Sequence, residues 1–314
     1  MDPWSRMIAS AVDAVAPRVV SVSATDPRET QVAFASGVCL DARHVITHAR
    51  LYTPGDRLSV AFPDGQRFAA ELVTADPLYF LAVLRIQGQV EFGPPEIAPD
   101  EDLRPGVLCL ALGNPLRSEA GLSLGVISAP DRTVYRPERF PVDGLILTDA
   151  AVRVQDIGGP LVSLEGRLLG INATPGLNGV ASGVQARVVL RLVEQMLRYG
   201  RATHPWLGFS GQTEIVPPTI AALLQVPVAR GVAVADVVGG GPGERAGVRA
   251  FDVVVRADGQ DVESVGAIRR VLAVHRPGED ALITVLRGGE LRDLHIPVEE
   301  IPRLSPMSWQ DPSG

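Results

Sequence analysis

The chain has 314 residues, 46% apolar and 21% charged, with a formal net charge of −7. That length exceeds what one hydrophobic core organises, so two or three compact units are expected, and the apolar share excludes a largely disordered chain. A negative balance without a Lys/Arg block argues against nucleic acid as a partner, and no window offers the roughly 18 apolar residues of a membrane span.

Residues 4 to 16 place Met7, Ile8, Val12 and Val15 at helical spacing until Pro17 stops the pattern, which predicts an amphipathic N-terminal helix within residues 1–17. The start lacks a basic stretch followed by a long apolar run. A cytoplasmic protein is therefore expected, or a periplasmic or other extracytoplasmic one if the chain is a trimmed mature form. From Val19 to Gln87, short β-branched runs alternate with turn signals, and Leu58–Phe62, Pro63-Asp64-Gly65 and Arg67–Val73 read as a hairpin. A second strand-rich stretch, Gly106 to Val189, holds Leu145-Ile146-Leu147, Pro160-Leu161-Val162 and, after the turn at Glu165-Gly166, Arg167–Ile171. Two successive all-β units predict paired barrels, joined by the Pro-rich acidic connector Phe92 to Asp102.

Val189, Leu192, Val193, Met196 and Leu197 form an apolar helical stripe, and Gly200 stands where a C-terminal cap belongs, so a helix closes a first domain spanning 18–200. A second domain is expected over 203–300, with a loose tail at 303–314. Cys39 and Cys109 lie in apolar runs and are expected to be reduced core residues. There is no Cys-x-x-Cys, His-Glu-x-x-His or Walker pattern, and Gly239–Gly243 contains Pro242 and reads as a plain loop. No metal and no cofactor is expected.

Ala35-Ser36-Gly37-Val38 through Val45-Ile46-Thr47-His48-Ala49-Arg50, Asp76-Pro77 with Leu81-Ala82-Val83-Leu84-Arg85-Ile86, and Gly113-Asn114-Pro115 with Thr148-Asp149-Ala150-Ala151, Gly158-Gly159-Pro160-Leu161 and Gly170-Ile171-Asn172 form an ordered set. In order and spacing it resembles HtrA-type trypsin-like serine proteases, which implies a trypsin-like double β-barrel. The resemblance puts Arg50 at the general base, Phe80 at the orienting carboxylate and Ile157 at the nucleophile. A guanidinium, with a pKa above roughly 12, offers no lone pair to take a proton. A phenyl ring cannot orient an imidazole or stabilise an imidazolium, and a hydrocarbon side chain has no nucleophilic atom. The family's Pro-Gly-Asn-Ser turn reads Val154-Gln155-Asp156-Ile157, so Gln155 and Asp156 degrade the turn that aims two N–H groups at an oxyanion. The expected catalytic set is empty.

Replacement chemistry has few sources. His48, two residues from Arg50 on a strand, shares its face and is the best substitute base. Ser163 falls in the turn Ser163-Leu164-Glu165-Gly166, and Ser182 lies in Gly179–Gly183, which matches the family's substrate-pocket wall. An active endopeptidase with relocated residues is thus the alternative reading. Arg50 and Asp156 are a candidate ion pair across the site.

Trp206-Leu207-Gly208-Phe209, Gly231–Val234, Ala246–Val254, Gly259–Val262 and Ser264 as N-cap of a helix through His275 resemble a PDZ domain, an α+β unit in an otherwise strand-dominated chain. Phe251 stands where that family has glycine. The resemblance implies that N–H groups of Leu207, Gly208 and Phe209 hold a C-terminal carboxylate while the peptide adds as a strand. Ile268 and Leu272 would face the groove and favour apolar peptide side chains, so Trp206, Leu207, Gly208, Phe209, Ile268 and Leu272 form the expected peptide-binding set. The implied protein is a pseudoprotease that binds apolar C-termini in a quality-control, chaperone-like or regulatory role. The other reading is a structural subunit, as a homotrimer through residues 4 to 16 or beside an active paralogue.

Overall fold

The first helix, α1 (Pro3–Val15), starts where Asp2 accepts the Ser5 N–H at 3.0 Å and Pro3 needs no partner for a missing donor. Its stripe is only half covered: Ala11 and Val15 are buried, whereas Trp4 is 62% and Met7 37% exposed. The computed structural model describes residues 1–28, 31–51, 53–113, 121–135, 140–177, 179–223 and 229–301. Asn114, Pro115 and the tail 303–314 lie outside these residues.

Six strands follow: β1 (Val19–Thr25), β2 (Gln31–Cys39), β3 (His44–His48), β4 (Arg57–Ala61), β5 (Arg67–Asp76) and β6 (Leu81–Ile86). They close into a barrel in the order β1-β2-β3-β6-β5-β4 around Val20, Val22, Val45, Val60, Leu84 and Ile86. The expected hairpin pairs Leu58 with Ala70 and Ala61 with Arg67, and its tight turn needs Gly65 at φ 92°. The connector carries one 3-10 turn at Asp100–Asp102.

A second closed barrel comprises β7 (Leu108–Gly113), β8 (Gly121–Tyr135), β9 (Pro141–Thr148), β10 (Pro160–Val162), β11 (Leu168–Leu177) and β12 (Val180–Gln185), in the order β10-β11-β12-β9-β8-β7. Its core holds Cys109, Ile127, Ile146, Leu161 and Leu169. Both cysteines are free and buried, and burial pushes each thiol up to about 11, out of the reactive range. Then α2 (Ala186–Tyr199) buries Val189, Leu192, Val193 and Met196, and Gly200 ends it in the left-handed conformation at φ 73°.

The chain divides into two compact units, one of Met1–Arg132 and Gly144–Ala202, the other of Thr133–Asp143 and Thr203–Arg303. In the second, β13 (Pro205–Trp206) pairs with β20 (Glu299–Glu300). The main sheet runs β14 (Phe209–Ile215), β15 (Arg230–Val237), β16 (Val253–Ala257), β18 (Asp280–Arg287) and β19 (Glu290–Pro297), with β17 (Gln260–Asp261) on β16. Three helices, α3 (Pro218–Leu223), α4 (Pro242–Arg245) and α5 (Val265–Leu272), complete it around Val232, Val254, Ile283, Val285 and Ile296. Ser264 caps α5 as expected, its hydroxyl accepting the Ala267 N–H at 3.2 Å. The helix ends at Leu272, short of His275. The His275 N–H closes on the Leu272 carbonyl at 3.1 Å, a tightened final turn, ahead of Pro277 and of Gly278 at φ 97°.

Candidate functional site

Arg50, Phe80 and Ile157 come together. All three line one cleft of about 220 Å³ in the first unit, with Phe34, Ala35, His48, Leu51, Val154, Ala173, Thr174 and Pro175. The Arg50 guanidinium carbon lies 4.8 Å from the centre of the Phe80 ring, and the His48 ring stacks on the same phenyl at 5.4 Å. Where the resemblance places a base and its carboxylate, the molecule has a cation on an aromatic face.

The turn that presents Phe80 is built by Asp76, whose buried carboxylate accepts the N–H groups of Leu78 at 2.8 Å and Tyr79 at 3.1 Å. In the sequence Asp76-Pro77 is only part of a motif, yet in the fold Asp76 shapes the β5–β6 connection. The Phe80 carbonyl takes the Ala49 N–H at 2.7 Å, and Phe80 itself is left-handed at φ 55°. That conformation costs an ordinary residue about 1–2 kcal/mol, and Asp tolerates it better than Phe. The backbone at this position therefore still fits a carboxylate residue while the side chain does not.

His48 and Arg50 do not share a strand face. Strand β3 ends at His48, and Ala49–Leu51 wind into a 3-10 turn because the Ala49 N–H is drawn to Phe80. The Arg50 N–H then points at His48 Nδ1 at 3.3 Å. A ring nitrogen that accepts an N–H carries the lone pair, so in the neutral ring the proton sits on Nε2. The expected Arg50–Asp156 ion pair is not formed either. Asp156 turns inward, 2% exposed, and its charged neighbour is Arg153, with Nε at 3.8 Å. Gly113 and Gly121 make room for it: a Cβ on either would lie 2.5 or 2.1 Å from Asp156 Oδ1. Among the described residues that oxygen has no hydrogen-bond partner, and burial raises the carboxyl pKa above its ordinary value against the Arg153 N–H and charge.

The turn at the nucleophile position is a 3-10 turn, Val154–Asp156, in which the Ile157 N–H bonds back to the Val154 carbonyl at 3.4 Å. One of the two N–H groups that an oxyanion site would use is thus directed into the turn. Ser36 of β2 fixes this arrangement twice, its N–H donating to the Ile157 carbonyl at 3.0 Å and its hydroxyl to the Gln155 carbonyl at 2.6 Å. Gly158 follows at φ 85°, where a Cβ would meet the Ser36 carbonyl at 2.3 Å. Asn172, unassigned from sequence beyond its motif, braces the loop through its own backbone: its carbonyl accepts the Gly158 N–H and its N–H donates to the Gly159 carbonyl, both at 2.8 Å.

The substitute hydroxyls are engaged. Ser182 and Thr174 share a 2.7 Å hydrogen bond. Ser163 is the turn residue expected, accepting the Glu165 N–H at 3.2 Å on its hydroxyl and the Gly166 N–H at 3.0 Å on its carbonyl.

In the second unit, Gly208 is left-handed at φ 78°, and a Cβ there would lie 2.7 Å from Pro242 Cδ, so the loop before β14 requires glycine twice over. Strand β14 is an edge of the main sheet, α5 lies against it, and Phe209 is partly exposed at its start. Leu207, Ile268 and Leu272 belong to the core cluster, each at most 7% exposed. Trp206 is buried in β13, its ring 5.8 Å from Phe140 in an edge-to-face contact.

Residues 35–171 match the trypsin-like peptidase domain family and residues 207–298 the PDZ domain family. A solved structure, the HtrA-type protease AlgW with a tripeptide, is similar over 95% of this chain and 98% of its own, with 29% identity and a TM-score of 0.71. The chain combines a trypsin-like peptidase domain with a PDZ domain and is similar to an HtrA-type protease along nearly its whole length. Curated proteins similar to the chain include the probable periplasmic serine endoprotease DegP-like protein of Chlamydia muridarum, 30% identical over 268 residues, 82% of this chain and 52% of that protein. A protein of the same description from Halomonas elongata is 31% identical over 264 residues, 82% of this chain and 54% of its own length. The chain spans about half the length of these relatives. Their names place those proteins in the periplasm and give no support to a cytoplasmic location.

Proposed function

We propose that this HtrA-type chain is a peptide-binding pseudoprotease. The observation that carries the reading is the shared cleft of Arg50, Phe80 and Ile157. The positions matched to base, orienter and nucleophile are neighbours in space, yet none bears a group able to accept a proton from a hydroxyl, orient a base or attack a carbonyl. The Ile157 N–H bonded into its own turn supports the same reading.

Binding is assigned to the PDZ domain. At the edge strand β14 a peptide would add as a strand, with the N–H groups of Leu207, Gly208 and Phe209 holding its carboxylate and Ile268 and Leu272, which belong to the core behind it, as the apolar floor. The tripeptide with AlgW in its solved structure supports a peptide ligand. The proposed setting is extracytoplasmic, as the names of the relatives have it, and the proposed assembly is a homotrimer through α1 or a hetero-oligomer with an active paralogue.

Two measurements on the full chain test this. Incubation with unfolded casein should release no fragments, and a peptide with an apolar C-terminus should bind as the free acid and more weakly as the amide. Fragments that disappear in His48→Ala would establish a relocated protease instead, and equal affinity for acid and amide would remove the carboxylate contact.

A further inference from the structure

The cleft of the first unit keeps a chemistry of its own. Its walls are apolar, from Phe34, Leu51, Phe80, Val154 and Ile157. Among the described residues that line it, the cation is Arg50, exposed and held over the Phe80 ring. Asp156, the carboxylate expected to neutralise it, is turned inward towards Arg153, and among the described residues no acidic side chain pairs with Arg50. A guanidinium stacked on a ring keeps its edge N–H groups in a planar fork matched to a carboxylate. At about 220 Å³ the cleft is below the roughly 300 Å³ at which pockets begin to enclose whole small ligands, so it suits a single apolar side chain.

We propose that the cleft is a second peptide-binding site, which takes an internal segment of an acidic peptide: an apolar side chain enters between Phe34, Phe80 and Ile157, and the carboxylate of an adjacent Asp or Glu pairs with Arg50. This rests on the reading that the cleft does not cleave what it holds. It differs from the PDZ assignment in needing no free C-terminus.

The test uses the full chain and fluorescent peptides amidated at the C-terminus, one with an internal Glu-Leu pair and one with Gln-Leu in its place. Fluorescence anisotropy should show the Glu peptide binding about tenfold more tightly, the scale of one charge-assisted contact, and Arg50→Gln should abolish that preference. Arg50 is exposed, so the variant is expected to keep the parent thermal midpoint, and Arg50→Lys should restore only part of the preference. No binding, equal binding of the two peptides, or a preference that survives Arg50→Gln overturns the proposal. Mass spectra of the same mixtures separate the two ideas: a cleaved peptide would overturn the non-cleaving reading, while the Arg50 dependence of binding would still report on the cleft.

Discussion

Asp156 stands where the resembled turn has asparagine, and the exchange of an amide for a carboxyl changes what burial costs. One carboxyl oxygen has no partner among the described residues, and desolvation raises the pKa from its ordinary 3.8 against the opposing Arg153 N–H and charge. A carboxyl whose folded pKa is raised favours the folded state while protonated. That contribution is full below the ordinary value and is lost as pH rises through it to the raised folded value. Asp156→Asn should therefore be more stable than the parent near about pH 7, and the difference should shrink as the solution is acidified towards the ordinary carboxylate range. Urea midpoints at both ends of that window measure this. A variant less stable than the parent throughout would show that Asp156 is satisfied as a charge.

The turn between α4 and β16 sets a different strain. Arg287 grips the buried Asp252 with two hydrogen bonds of 2.6 Å, Asp252 caps the Arg249 N–H at 2.8 Å, and the Phe251 N–H is fixed to Val234 at 2.9 Å. So constrained, Phe251 sits at φ 70° with 89% of its surface in water. Left-handed backbone costs about 1–2 kcal/mol, partly offset by the added chain entropy of an unfolded glycine, so Phe251→Gly should stabilise the second unit by about 1 kcal/mol. Its thermal transition should move up, and a downward move would contradict the strain. Elements of this size were largely legible in the sequence. The punctuated β-branched runs gave two closed barrels, the stripe from Val189 to Leu197 gave α2 with Gly200 as its left-handed cap, and Ser264 marked the start of α5. What sequence missed were pairings decided by distant chain. Alternation is local and predicts Arg50 on a strand, whereas the 3-10 turn that holds it is made by a bond from Ala49 to Phe80. Asp156 was matched to the wrong arginine because the space between Gly113 and Gly121 exists only in the closed barrel. The three positions around the cleft were found, but not the stacking of one on another.

At the scale of the whole molecule, α1 leaves apolar surface uncovered at Trp4 and Met7 while Ala11 and Val15 are buried, and this supports self-association through the first helix. Light scattering of the full chain should give a mass above that of one copy, and Trp4→Ser should lower it. A single-copy mass at high concentration for the parent would remove the assembly. The clamp made by Ser36 bears on kinetics. One residue of the first barrel holds two carbonyls of the second barrel's loop, so a flip of the peptide plane at Gln155 or at Ile157 breaks a bond to Ser36. Rearrangement of that loop breaks the bonds Ser36 makes across the barrels, and the Ser36 amide proton should exchange with deuterium more slowly than the amide protons of exposed loops. The shape of this turn is then tied to the seam between the two barrels, not to the loop alone.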